Sequence, residues 1–232
     1  MLRRRPSLIV FDLDGTLVDS APDLAYSIDQ MLIRLGRPPA GEDRVRGWIG
    51  NGMPMLVKRA LTGELWPTDE PEGFAEALAL YMEIYGENLS VRSRLYDGAR
   101  KCLEQLHGEG YTLACITNKH SRFTGPLLES LGVGQYFACL ASGDQFRHHK
   151  PHPEPLLKTA GRFGVDPAEC LMVGDSIADA EAARNAGFML VLVPYGYHGE
   201  ADVNSLGADA VVKSLIEIPA LCAKAGQTDS DG

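Results

Sequence analysis

The chain has 232 residues, 45% of them hydrophobic, and a formal net charge of -9 at pH 7. That length fits one or two domains, the apolar content supplies a full core for a soluble globular protein, and the acidic balance excludes the basic footprint of a nucleic-acid binder. The one basic cluster, Arg3-Arg4-Arg5, reads as a solvated terminal arm. No apolar stretch has the length of a membrane span or the layout of a signal peptide, so the cytoplasm is the expected compartment.

Leu8-Ile9-Val10-Phe11 is short, branched and aromatic, the composition of a buried strand in a parallel sheet. It stops at Asp12-Leu13-Asp14-Gly15-Thr16. In open α/β sheets ligands bind where loops leave the carboxyl ends of the strands. Asp12 and Asp14 are two apart, so in extended chain both face one small volume while Leu13 points away, and Gly15 lets the chain turn back over it. Ser20 then caps a helix running to Gly36, with Pro22 just inside and Leu24, Ile28, Met31, Leu32 and Leu35 on one face. A second helix starts near Gly52, with Met55, Leu56 and Leu61 apolar, and a third spans about 71–88, with Phe74, Leu78, Tyr81 and Tyr85 in register. No strand separates these helices, so residues 20–92 are expected to form an all-helical insertion after the first strand.

After Asp97-Gly98 helices and strands alternate. Ala99, Cys102, Leu103 and Leu106 make a helix face, followed by a strand at 111–117, a helix at 123–131 and a strand at 137–142. A helix at 153–163, a strand at 170–174, a helix at 176–186 and a strand at 189–193 come next, then a short strand at 209–212 and a closing helix from Ser214. The fold class expected from this alternation is α/β, a doubly wound, mainly parallel sheet covered on both faces. From about residue 226 the chain is poor in apolar residues and is expected to be disordered. The five cysteines lack any Cys-x-x-Cys spacing and are expected as buried, reduced thiols.

Polar residues gather at the strand ends. The strand at 111–117 ends in Thr117-Asn118-Lys119, a hydroxyl and an amide able to donate to an oxyanion. The strand at 170–174 ends in Asp175-Ser176-Ile177-Ala178-Asp179, whose two acids lie one helical turn apart and lean towards one point. Two separated acid clusters at strand ends make a hard, oxygen-rich site that suits Mg²⁺ with several waters retained. Lys150, in the loop after a strand, is one of few cations near these carboxylates, which hold it charged and close. His148, His149 and His152 flank Lys150-Pro151 without matching a zinc spacing and read as a solvated loop.

Asp12-x-Asp14-Gly15-Thr16, Thr117-Asn118, Lys150-Pro151 and Gly174-Asp175-x-x-x-Asp179, in this order and each after a strand, resemble the haloacid dehalogenase-like hydrolase superfamily. The likeness covers nearly the whole chain, including the stretches at 17–22, 48–52, 150–153 and 195–197. It implies a Rossmann-like core of residues 1–19 and 93–232 and a helical cap of residues 20–92. It also implies an Asp12 nucleophile, an Asp14 general acid and base, and Mg²⁺ held by Asp12, the backbone carbonyl of Asp14 and Asp175, with Asp179 in support. Thr117, Asn118 and Lys150 would hold the phosphoryl oxygens. The cap would be a lid that reads the rest of the substrate through Gly50, Asn51 and Gly52 at a helix start, with Arg59 or Lys58 helping if turned inward. The implied substrate is a small phosphorylated carboxylic acid such as 2-phosphoglycolate, acted on by a monomer or small homo-oligomer without nucleic-acid or membrane partners. One departure is Arg147-His148-His149, bulkier and more basic than that family's habit. A sugar phosphomutase, a phosphonoacetaldehyde hydrolase using Lys58, and a non-catalytic binding protein share the core pattern and stay open at this point.

Overall fold

In the computed structural model, which describes residues 2–199 and 201–225, the strand Leu8–Phe11 (β1) runs through the middle of a six-stranded parallel sheet. It is flanked by Thr112–Thr117 (β4) and Cys170–Gly174 (β6). Cys139–Ser142 (β5) lies outside β4, and Met189–Leu192 (β7) and Ala210–Val211 (β8) lie outside β6. The tail from residue 226, expected to be disordered, lies outside the described residues.

Alternate residues of a strand face opposite sides, so Ile9 and Phe11 enter one apolar cluster and Leu8 and Val10 another, all four fully buried. Helices Ala99–Gly108 (α5), Ser121–Ser130 (α6) and Ile218–Ala225 (α9) cover the first cluster, and Glu154–Phe163 (α7) and Ile177–Ala186 (α8) the second. Counting only this sheet's strands in chain order, the arrangement is 3-2-1-4-5-6. That is the doubly wound order whose topological switch point falls between its first and fourth strands, here β1 and β6. The chain segments leaving those two strands therefore frame one crevice.

The four helices Ala21–Arg34 (α1), Glu42–Arg46 (α2), Gly52–Thr62 (α3) and Phe74–Glu87 (α4) build a third apolar cluster around Ile28, Met31, Val57, Tyr81 and Tyr85. The sequence pattern indicated three helices here; α2, at five residues, is too short to show a period. Nor does the helical segment follow β1 directly. Val18–Asp19 (β2) and Arg94–Leu95 (β3) pair antiparallel, Val18 opposite Leu95, and form a neck through which the chain leaves and re-enters the sheet. Ser20 occupies the position before α1 but does not cap it: its hydroxyl donates to Asp14 Oδ1 at 2.6 Å. The helix start is satisfied elsewhere, with Ala21 N–H donating to the Tyr197 hydroxyl at 2.9 Å. All five cysteines are buried and unpaired, and among the described residues no helix is long and apolar enough to cross a membrane.

Beside the neck, the buried carboxylate of Asp23 accepts from Ser93 N and Ser93 Oγ, both at 2.7 Å, and from Arg92 N at 2.9 Å. The Arg92 guanidinium adds a contact at 3.3 Å. Removing the acceptor would strand two backbone N–H groups where water cannot replace it. Asp23→Ala is expected to lower stability by about 3 kcal/mol, read from the shift in the urea unfolding midpoint at unchanged slope.

Candidate active site

Asp12 leaves β1 with its N–H bonded to Val173 O at 2.9 Å, and Asp175 leaves the adjacent β6. Asp179 sits in the first turn of α8, behind them. One carboxylate oxygen from each of these three lies within 4.8 Å of the others, and all three residues are buried. Burial removes the water that would screen such charges. It pushes the Asp12 carboxyl up to about 7, with Asp179 adding to the rise and Lys150 opposing it. Burial, then Asp179 and Asp12, hold Asp175 well above the ordinary carboxylate range.

Lys150 answers part of this charge. From the loop before α7 its ammonium donates to Asp12 Oδ1 at 2.7 Å, Asp179 Oδ1 at 2.6 Å and Ile116 O at 2.9 Å. Burial works against a charged lysine, but the two carboxylates outweigh it and keep Lys150 protonated above its usual range. Three carboxylates against one ammonium still leave the cluster acidic.

Asp175 is held from both sides, accepting from Thr16 Oγ1 and from Tyr197 N, each at 2.6 Å. The approach is so close that a Cβ on Gly15, which is at φ +95°, or on Gly196 would strike the Asp175 side chain. The other oxygen of Asp179 accepts from Asp175 N and Ser176 N, both at 3.1 Å, and from Ser176 Oγ at 2.7 Å, so it closes a capping box at the start of α8. Asp12, Asp14 and Asp175 line the cavity in front of the sheet, whereas Asp179 does not and acts through Lys150 and the Asp175 backbone.

Thr117, the last residue of β4, lines the cavity and is buried. Asn118 lines it too, but its side-chain amide, expected to face an oxyanion, donates to Gly50 O at 3.1 Å and Lys150 O at 2.9 Å. Those two carbonyls need donors, and the amide joins the helical insertion to the Lys150 loop instead. Lys119 has no assigned role in the sequence reading, yet it is 4% exposed and donates to both oxygens of Asp14 at 3.1 Å. Like Lys150, it is a cation set among strand-end acids. Thr16 and Tyr197, which carry no expected role, orient Asp175, and Ser20, expected as a helix cap, orients Asp14.

On the helical side the wall consists of Leu24, Ile49, Met53 and Leu56, with Gly50 and Gly52 beside them. The space is ≈ 40 Å³ and partly open to solvent. Asn51 and Arg59 do not reach it. The buried Arg59 guanidinium donates to Leu65 O at 2.7 Å, to Trp48 O and to Asn51 Oδ1 at 2.8 Å, because its fork matches acceptors within its own helical layer. It therefore shapes the Gly50–Gly52 loop from behind. Lys58 lies 5.1 Å from the centre of the Phe74 ring and is also outside the cavity. His148 and His152 are exposed and stacked, ring centroids 4.3 Å apart, and with Glu154 they bring one potential ligand atom each within 4.8 Å of the others.

The arrangement offers a carboxylate nucleophile, a second carboxylate able to carry a proton, and cations for an anionic group. Its metal-capable atoms are hard oxygens, and no histidine or cysteine lines the space, a donor set fitted to a small hard divalent cation. A family model for haloacid dehalogenase-like hydrolases matches residues 9–193. The chain belongs to the haloacid dehalogenase-like hydrolases. It is 45% identical over 222 residues to a phosphoglycolate phosphatase of Nitrosococcus oceani, covering 96% of this chain and 99% of that protein. It is 46% identical over 217 residues to that of Thiobacillus denitrificans, covering 94% and 96%. Among solved structures, one described as a predicted phosphoglycolate phosphatase from Haemophilus somnus superposes with a TM-score of 0.87 at 36% identity, over 94% of this chain and 98% of that one.

Gly196 leaves no room for a Cβ beside the Asp175 side chain. Gly196→Ala is expected to cost about 2 kcal/mol through overpacking and to lower turnover by pushing Asp175 out of place; thermal unfolding and steady-state assays of the same preparation check both effects.

Proposed function

We propose that this chain is a cytoplasmic, Mg²⁺-dependent phosphatase that converts 2-phosphoglycolate to glycolate and phosphate through an aspartyl-phosphate intermediate. The observation that carries this reading is the convergence of Asp12, Asp14, Thr117, Lys150 and Asp175 on one small space with an apolar wall opposite. The Asp12 carboxylate attacks phosphorus, and the bond from phosphorus to the glycolate oxygen breaks with its electron pair leaving on that oxygen. Asp14, oriented by Ser20 and Lys119, gives its proton to the departing alkoxide and then takes one from the water that hydrolyses the acyl phosphate. Thr117 and Lys150 hold the equatorial oxygens while charge spreads over them. Asp12, the Asp14 carbonyl and Asp175 would hold Mg²⁺, which when bound would supply positive charge to offset repulsion between the nucleophile and the phosphoryl group.

The apolar wall of the space supports the small substrate. A sugar phosphate brings several hydroxyls that need partners, and Leu24, Ile49, Met53 and Leu56 offer none. Lys58, the only lysine of the helical segment, packs on Phe74, which counts against Schiff-base chemistry on a phosphonate. The relatives named phosphoglycolate phosphatase supply the substrate's identity.

A panel of phosphorylated two- and three-carbon acids, sugar phosphates and nucleotides, assayed with Mg²⁺ and with EDTA, tests this directly. 2-Phosphoglycolate is expected to lead and EDTA to abolish release, whereas dominance by sugar phosphates would overturn the substrate while leaving the mechanism. Asp12→Asn is expected to lose at least about 10³-fold in turnover; near-normal phosphate release by that variant would remove Asp12 from its role. Metal binding should also track the proton on Asp12. Its acid form, persisting up to about pH 7, competes with the cation, so apparent Mg²⁺ affinity should rise about tenfold from pH 6 to pH 8, measured by calorimetric titration. A flat profile would mean that Asp12 does not ligate the metal.

A further inference from the structure

We propose that Lys119 forms the subsite for the second negative charge of the substrate, its carboxylate. This rests on reading the substrate as a phosphorylated carboxylic acid. Two ammonium groups line the cavity, those of Lys150 and Lys119. Lys150 is engaged by Asp12, Asp179 and Ile116 O at the phosphoryl end. Arg59, the buried cation of the helical segment, is turned away and bonded to Trp48, Leu65 and Asn51. A carboxylate pressed against the apolar wall loses its water and needs a cation in exchange. Lys119 is the group in position to supply it.

Reach supports the assignment. Asp14 must come within hydrogen-bond distance, about 3 Å, of the leaving oxygen to protonate it. In 2-phosphoglycolate the carboxylate carbon lies two bonds, about 2.5 Å, from that oxygen. Lys119 Nζ sits 3.1 Å from both Asp14 oxygens. These three lengths let the carboxylate come within a hydrogen bond of Lys119 Nζ when the substrate is bound with its carboxylate turned to that side of Asp14. Lys119 also has capacity for it. Of three N–H donors, two have the Asp14 oxygens, and the remaining side faces the Tyr85 ring, whose centre is 4.7 Å away. A ring face attracts an ammonium less strongly than a carboxylate does. Since Tyr85 belongs to α4 and Lys119 to the end of β4, the subsite lies at the seam between helical layer and sheet, where a substrate that fits joins the two.

The test compares 2-phosphoglycolate with ethyl phosphate, which carries a methyl group in place of the carboxylate, as the ratio of their kcat/KM values. Any loss that passes through Asp14 falls on both substrates and cancels. In Lys119→Met the ratio is expected to drop about 30-fold, the effect of losing one charge-assisted hydrogen bond, while Lys119→Arg keeps most of it. An unchanged ratio in Lys119→Met overturns the subsite and leaves Lys119 as a positioning residue for Asp14. A wild-type protein with no preference for 2-phosphoglycolate over ethyl phosphate overturns the substrate reading, and the subsite with it. Where turnover is too low to measure, thermal-shift titration with 3-phosphonopropionate and with propylphosphonate gives the same comparison by binding alone. Wild type should favour the carboxylated analogue and Lys119→Met should not; an equal preference in both proteins overturns the subsite. Should Lys119→Met fail to fold, Lys119→Gln enters the same comparison.

Discussion

The site depends on one ammonium held between two carboxylates at the switch point of the sheet. Lys150 bonds Asp12, Asp179 and Ile116 O, so one buried ammonium offsets part of the charge that two neighbouring carboxylates would otherwise leave uncompensated. The pairing is also incomplete, because Asp175 stands beside them and its charge has no matching cation among the groups that bond it. A pocket left acidic in this way attracts a divalent cation, and the cation in turn makes an anionic phosphoryl group welcome. Stability and function therefore pull in opposite directions here: a second lysine would quiet the cluster and spoil it as a metal site.

Holding that imbalance requires that the surroundings cannot relax. The parallel order places β1 and β6 side by side, so Asp12 and Asp175 leave neighbouring strands in register, Phe11 opposite Val173. Hydrogen bonds from Thr16, Tyr197 and the start of α8 then fix each oxygen, and glycines at 15 and 196 give the backbone room to come that near. The helical layer is tied to the same groups. Arg46 pairs with Asp19, which accepts from the Tyr197 hydroxyl, and Tyr197 N–H in turn holds Asp175. A chain of three contacts thus runs from α2 to the acid cluster, and the Asn118 amide makes a second link through Gly50.

What was legible in the sequence follows from this geometry. Asp12, Asp14, Thr117 and Asp175 could be read because each closes an apolar run, and a run of buried residues ending in a polar one is a local pattern. Lys150 could be read by charge, as a cation among acids. Lys119 obeys the same rule, but beside Thr117 and Asn118 it reads as the first solvated residue of a loop; only its contact with Asp14 shows otherwise. Ser20 misleads in the reverse sense, since serine before a helix ordinarily caps it, and here Tyr197, 177 residues later in the chain, takes over that end. The neck strands and α2 escape because two to five residues carry no periodicity. Arg59 escapes because the direction of a long side chain is set by which carbonyls lack donors, and that is a property of the folded layer.

The apolar wall opposite the carboxylates gives the charges their discriminating power. In water an ammonium and a carboxylate gain little from meeting, because each is already well solvated. Against Leu24, Ile49, Met53 and Leu56 that solvation is gone, so an unmatched charge is penalised and a matched one rewarded far more steeply. A polar wall would tolerate many phosphomonoesters through water-mediated contacts; an apolar one would favour those whose charges find a partner among the groups on the sheet side. On that reading the sheet would supply the reacting groups, and the helical layer, largely by lining the space with apolar side chains, would bear on which molecule brings the phosphoryl group.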